Sequence, residues 1–178
     1  MNGQMSQLEE DFPSETWTGA PCPHCGSSDI VSGLRYNLNA EGKYAESLPE
    51  YAQALSYAAN EQETSTLRAA MFASSGRMPT PPELPDDVRR HVVRGELLLK
   101  QGMLDRALVE FNEALRMAPY VPKLYYNTAL IYGQLKQYDQ AIRQTHLYLM
   151  AAPEAPDTRA AQDEITKWDL QLELEGER

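Results

Sequence analysis

Two thiols three positions apart, Cys22 and Cys25, are the residues whose type and spacing could most directly do chemistry. A Cys-x-x-Cys offers either a reversible dithiol or half of a tetrahedral zinc shell. The chain has 2 cysteines in 178 residues, so one copy brings two sulfurs to an ion that takes four donors. His24 stands between them, where reaching the same ion is sterically awkward. Two chains pooling Cys22 and Cys25 would complete the shell and form a metal-dependent homodimer. The plain alternative is a pair of thiols that merely pack. Elsewhere the chemistry thins out. His91 and His146 have no Cys or second His three or four residues away, which leaves packed or surface imidazoles rather than ligands. Glu9-Glu10-Asp11 and Asp86-Asp87 are adjacent in sequence and do not face one cleft. No Gly-x-Ser-x-Gly, phosphate-binding glycine loop or His-Glu-x-x-His occurs. The residues point away from an enzyme.

Composition bounds what could position these groups. With 42% hydrophobic and 24% charged residues, the chain has the make-up of a soluble globular protein, and it holds no apolar run long enough for a bilayer. The first residues lack the basic and apolar regions of a secretory signal, so the cytoplasm is the expected location. The net charge of -10 repels phosphate backbones and argues against nucleic acid. Residues 1–86 carry 4 Lys+Arg against 12 Asp+Glu (net -8), residues 87–178 carry 12 against 14 (net -2). The halves are different objects.

Residues 1–20 are polar, acidic and aperiodic, and read as a disordered tail. Residues 78–87 hold four prolines in ten positions, which suits a semi-rigid linker and a domain boundary. Beyond it, Ala107-Leu-Val-Glu-Phe-Asn-Glu-Ala114 ending at Pro119 is answered 34 residues later by Ala141-Ile-Arg-Gln-Thr-His-Leu-Tyr148 ending at Pro153. Each unit splits into two helical segments, 88–101 with 105–117 and 122–135 with 139–151, turning at Gly102 and at Lys136-Gln137. Asp86 and Asp87 offer caps to the first helix, and Pro122 suits the first turn of the third. Residues 157–173 put Ala161, Ile165, Trp168 and Leu172 on one stripe, an amphipathic lid over the last hairpin.

These residues resemble the tetratricopeptide repeats. Gly95, Gly102, Ala107, Phe111, Ala114 and Pro119 stand at the family's small, turn and packing positions in the first unit. Tyr125, Ala129, Tyr132, Tyr138, Ala141 and Pro153 do so in the second. Arg94 and Thr145 depart, replacing a Leu and a bulky core residue, and His91 occupies another bulky core position. The resemblance covers 88–153, with 156–174 as the capping helix an array needs. It implies a groove lined by the first helix of each repeat: Arg89, Val92, Glu96, Leu99 and Lys100, then Lys123, Tyr126, Asn127, Leu130 and Gln134. Val92, Leu99, Tyr126 and Leu130 would bury a partner's side chains, and Asn127 would bond its backbone; the same apolar residues could instead pack beneath the amino-terminal half. Family members that clamp a chaperone's terminal carboxylate use Lys and Asn where this chain has Val92 and Glu96. Asn127 matches a further clamp residue, but Asp157 and Ala161 replace its basic ones. Chaperone-tail recognition is not implied.

Three readings compete for the amino-terminal half. Cys22-Pro-His-Cys25 matches a tetrapeptide of thioredoxin-fold oxidases, but Gly26-Ser-Ser-Asp29 interrupts the helix that chemistry needs. Cys22-Pro-His-Cys25-Gly26-Ser27 also resembles the first knuckle of zinc ribbons, followed by a strand at 29–36. Its remnant partner would be 66–76, strand then turn, with Phe72 and Ser75 in place of the second cysteine pair. A third reading makes 28–60 a degenerate extra repeat, using Val31, Leu34, Leu38, Gly42, Tyr44, Tyr51, Ala54 and Leu55. Pro49 then falls inside its second helix at a cost of about 3 kcal/mol, which ranks the ribbon ahead.

The sequence thus predicts a mainly α chain: a tail (1–20), a small β-rich degenerate zinc-ribbon-like domain (21–77), a linker (78–87), and two repeat hairpins with a capping helix (88–174). The expected function is a cytoplasmic protein–protein interaction module that binds a peptide or protein, without catalysis, cofactor, nucleic acid or membrane. The alternative is a metal-binding or thiol-redox protein acting through Cys22 and Cys25, with the repeats as scaffold.

Overall fold

In the computed structural model, residues 43–176 are described, and they form helices and connecting turns with no strand among them. In chain order these are α1 (Tyr44–Tyr57), α2 (Glu61–Ser75), α3 (Asp86–Lys100), α4 (Leu104–Met117), α5 (Pro122–Gln134), α6 (Tyr138–Ala151) and α7 (Thr158–Gly176). Cys22, His24 and Cys25, with the knuckle, tail and strand expected around them, lie outside the described residues.

The repeat region folds as its periodicity requires. α3 pairs with α4 and α5 with α6, α4 packs on α5, and α7 closes on α6. Small residues set the close approaches: a Cβ on Gly95 would lie 2.9 Å from the Phe111 ring, so glycine lets α3 settle on α4. Ala107, Phe111 and Ala114 are fully buried, as are Ala129 and Ala141 in the second hairpin. Thr145, the departure from a bulky residue, is buried too, its hydroxyl donating to the Ala141 carbonyl at 2.9 Å. That bond satisfies the polar atom that replaces apolar volume. Both tight turns use left-handed backbone: Gly102 has φ 72° and Lys136 has φ 59°. The sequence expectation that Asp86 or Asp87 caps α3 is corrected. Pro85 is the cap residue and makes no side-chain cap bond; the two carboxylates sit in the first turn and pair with Arg89 and Arg90. There they act on the helix dipole instead.

The β-rich reading of 21–77 is overturned wherever the chain is described. Residues 66–75, expected as a strand, belong to the single helix α2. Asn60 accepts from the Glu63 N–H at 2.9 Å, and Glu63 accepts from the Ala59 N–H at 3.0 Å. The Asn60 cap starts the helix, and Glu63 ties the residue before the cap to its first turn. Pro49 does not prevent α1, which runs through it. The proline stands in the second turn and is exposed, so it removes one backbone bond, while Leu48, Tyr51 and Ala54 are buried at almost no exposure. Two buried large side chains at about 1.5–3 kcal/mol each offset the proline's roughly 3 kcal/mol. The result is a third hairpin, α1 against α2.

This hairpin shares one core with the repeats. α1 meets α4 and α2 meets α6. Leu48, Tyr51, Leu67, Met71 and Phe72 join Phe111, Ala118, Tyr120, Tyr125 and Tyr148 in a single cluster. The Phe72 ring stands edge-on to Tyr125, centroids 5.8 Å apart and planes at 87°. Residues 78–85 carry no helix, as their prolines require, yet the segments on either side pack together.

Candidate functional site

The predicted groove residues fall on α3 and α5, the two first helices, with α4 packed against both. On α3, Arg89, Glu96 and Lys100 are exposed while Val92 and Leu99 are half-buried. On α5, Lys123 and Gln134 are exposed, and Tyr126, Asn127 and Leu130 are half-buried. The apolar members each touch the core at their inner edge: Val92, Leu99 and Tyr126 the main cluster, Leu130 a smaller one around Trp168. Apolar surface is therefore left over between charged neighbours on α3 and between Lys123 and Gln134 on α5.

Around Tyr126 the structure assembles more than the sequence suggested. Its ring lies on that of Tyr148, centroids 5.0 Å apart. The Tyr148 hydroxyl donates to Asp157, the residue immediately before α7. Burial raises the Tyr126 phenol above its usual range, and the nearby Asp157 and Glu164 carboxylates raise it further. Glu164 accepts from Lys167 at 2.7 Å. The phenol thus stays a neutral donor beside two carboxylates. Sequence reasoning missed Tyr148, Asp157, Glu164 and Lys167 because they come from other elements. The hint was that Asp157 and Ala161 replace the family's basic pair, which makes this end of the groove acidic.

Tyr125, one residue earlier, faces inward. Its hydroxyl donates to the Pro119 carbonyl at 2.7 Å, and burial pushes its pKa up to about 12 against a smaller opposing effect of Arg68 from α2. It ties α5 to the loop before it and is structural.

A second polar cluster lies on the first hairpin. Glu110 is 8% exposed and accepts from His91 Nδ1 at 2.7 Å and from Arg94 at 2.9 Å. The two departures from an apolar core pattern, one helical turn apart on α3, are thereby explained. They serve one buried carboxylate, which would otherwise lose its hydration uncompensated. His146 is exposed on α6. Among the described residues no group of three or more His, Cys, Asp or Glu is placed to hold a metal ion. No helix there is long and apolar enough to cross a membrane.

Tandem helical hairpins of near-equal length, closed by an amphipathic helix, define a helical-repeat protein. Residues 122–144, the second repeat from Pro122 into α6, match the tetratricopeptide repeat family model. A similar protein is the Hsp70-Hsp90 organising protein of Plasmodium falciparum (isolate 3D7), 35% identical over 69 residues. That alignment takes in 39% of this chain and 12% of the relative, so the chain spans a small fraction of that protein's length.

Proposed function

We propose that this chain is an interaction adaptor that holds an extended or helical segment of a partner protein against α3 and α5, and that it catalyses no reaction. The observation that carries this is the row of half-buried apolar residues, Val92, Leu99, Tyr126 and Leu130, set among the exposed Arg89, Glu96, Lys100, Lys123 and Gln134. An apolar floor with a charged rim gives burial at the centre and register at the edge. Asn127, between Tyr126 and the floor residue Leu130, would hydrogen-bond the bound backbone. The relative's printed name, an organiser of two other proteins, agrees with an adaptor role. Its partners are not carried over, since Val92, Glu96, Asp157 and Ala161 stand where a carboxylate clamp would need other residues. A cytoplasmic setting and the absence of a cofactor belong to the same reading.

Quantitative capture of partners by wild type, Tyr126→Ala and Leu130→Ala tests it. Both substitutions act on half-buried side chains and should leave the helical content intact. A shared set of partners should be lost from both variants, and equal recovery by all three would remove the groove from the account. The metal or thiol alternative through Cys22 and Cys25 makes a different prediction, zinc in the purified protein and loss of dimer mass on chelation.

A further inference from the structure

Tyr126 of α5 lies near two carboxylates at the start of α7, Asp157 and Glu164, and the two are not equivalent. Glu164 is already paired, since Lys167 donates to it at 2.7 Å. Asp157 accepts only from the Tyr148 hydroxyl, a neutral group, and joins no ion pair among the described residues. Lys123, one turn before Tyr126 on α5, is exposed and pairs with neither carboxylate. The charge of Asp157 is therefore unbalanced, and it sits half-buried beside an aromatic ring.

That ring is the second half of a cation site. Tyr126 is half-buried and held by Tyr148, the two centroids 5.0 Å apart, so it keeps one orientation while part of it remains open to solvent. The negative face of an aromatic ring next to an unpaired carboxylate suits a guanidinium, which stacks on the ring while its N–H groups fork onto the carboxylate. An ammonium lacks the flat shape that does both. Leu130 stands one turn beyond Tyr126 on the same face of α5, about 6 Å along the axis. An extended strand advances about 3.3 Å per residue, so side chains seated at these two places are two residues apart and project to the same side. We propose, resting on the groove of the preceding section, that the partner segment is extended and carries an arginine two positions from an apolar residue, the guanidinium lying between Tyr126 and Asp157 and the apolar side chain on Leu130.

Phage display of random dodecamer peptides against the full chain supplies the probe. Wild type should enrich arginine two positions from an apolar residue. A chain of net charge -10 attracts any cation, so the strongest such peptide and its arginine-to-glutamine form are then titrated against wild type, Asp157→Asn, Asp105→Asn and Leu130→Ala. Asparagine keeps an acceptor for the Tyr148 hydroxyl and removes only the charge. Asp157→Asn and the change in the peptide should each weaken binding about fivefold, and the two together no more than either alone. Asp105→Asn, the same charge removed at an exposed position on α4, should change nothing. Far-ultraviolet circular dichroism checks the fold of each variant. Peptides that depend on Leu130 but lack arginine at that spacing, additive effects of the two changes, or equal losses with Asp105→Asn would overturn the arginine and leave the groove standing. Peptides indifferent to Leu130→Ala, or no peptide selected, would remove the groove and the arginine with it.

Discussion

The two repeats share a period and a turn geometry but differ in what covers them. The second is sealed: the Trp168 indole of α7 lies on Gly133 so closely that a Cβ there would stand 2.7 Å from three of its atoms. Ala129, Tyr138 and Ala141 complete that junction. Among the described residues the first has no such seal on α3, where Val93 and Leu97 face solvent. One end of a repeat array is closed by hydrophobic burial. At the other, a buried carboxylate is held between His91 and Arg94.

The largest test of this contrast is at the sealed end. Trp168→Ala should cost about 3–5 kcal/mol by emptying the junction, and Gly133→Ala about 1–3 kcal/mol by pushing the indole away. Chemical denaturation gives the totals. Hydrogen exchange should show α7 losing protection first in both variants, and an α7 as protected as in wild type would contradict the seal.

At the open end the effect should be smaller. Glu110→Ala removes the shared partner of His91 and Arg94, but Arg94 can turn to solvent, so about 1–2 kcal/mol is expected. Replacing His91, Arg94 and Glu110 together by apolar residues should recover most of the loss, because buried ion pairs contribute little net stability over well-packed apolar groups. A triple variant less stable than Glu110→Ala would show that the cluster does more than satisfy its own charge.

The turns give the finest comparison. Gly102 and Lys136 hold the same left-handed conformation in the two hairpins. Lys136→Gly should gain a few tenths to about 1 kcal/mol and Gly102→Ala lose about 1 kcal/mol, read as opposite shifts in thermal midpoint. Equal signs would mean the two turns are not equivalent.

Much of this was legible beforehand. The repeat helices begin and end within two residues of the bounds read from Val88, Gly102, Pro119, Pro122 and Lys136, because turn glycine, proline and a three-to-four apolar stripe act locally. The stripe of Ala161, Ile165, Trp168 and Leu172 does face inward, Ala161 and Trp168 buried and the others half-buried. The ribbon-like reading of 66–76 fails because Phe72 and Ser75 are no cysteine pair, and the Asn60-to-Glu63 cap just upstream starts a helix there. The local cost of Pro49 is outweighed by the burial of Leu48 and Tyr51 beside it. The candidate groove residues lie on α3 and α5, but the acidic surround of Tyr126 was invisible in the sequence, since Tyr148, Asp157 and Glu164 reach it from α6 and beyond.

By itself the sequence determined where the chain turns and which helices pair, because 34-residue recurrence and small-beside-large packing fix both hairpins through neighbours close in sequence. Only the tertiary structure decided that 44–57 and 61–75 are helices sharing the repeats' core, and that Glu110 is the partner of His91 and Arg94. Those outcomes depend on which side chains meet across elements far apart in the chain, and burial there outweighs the local preferences a single stretch of sequence displays.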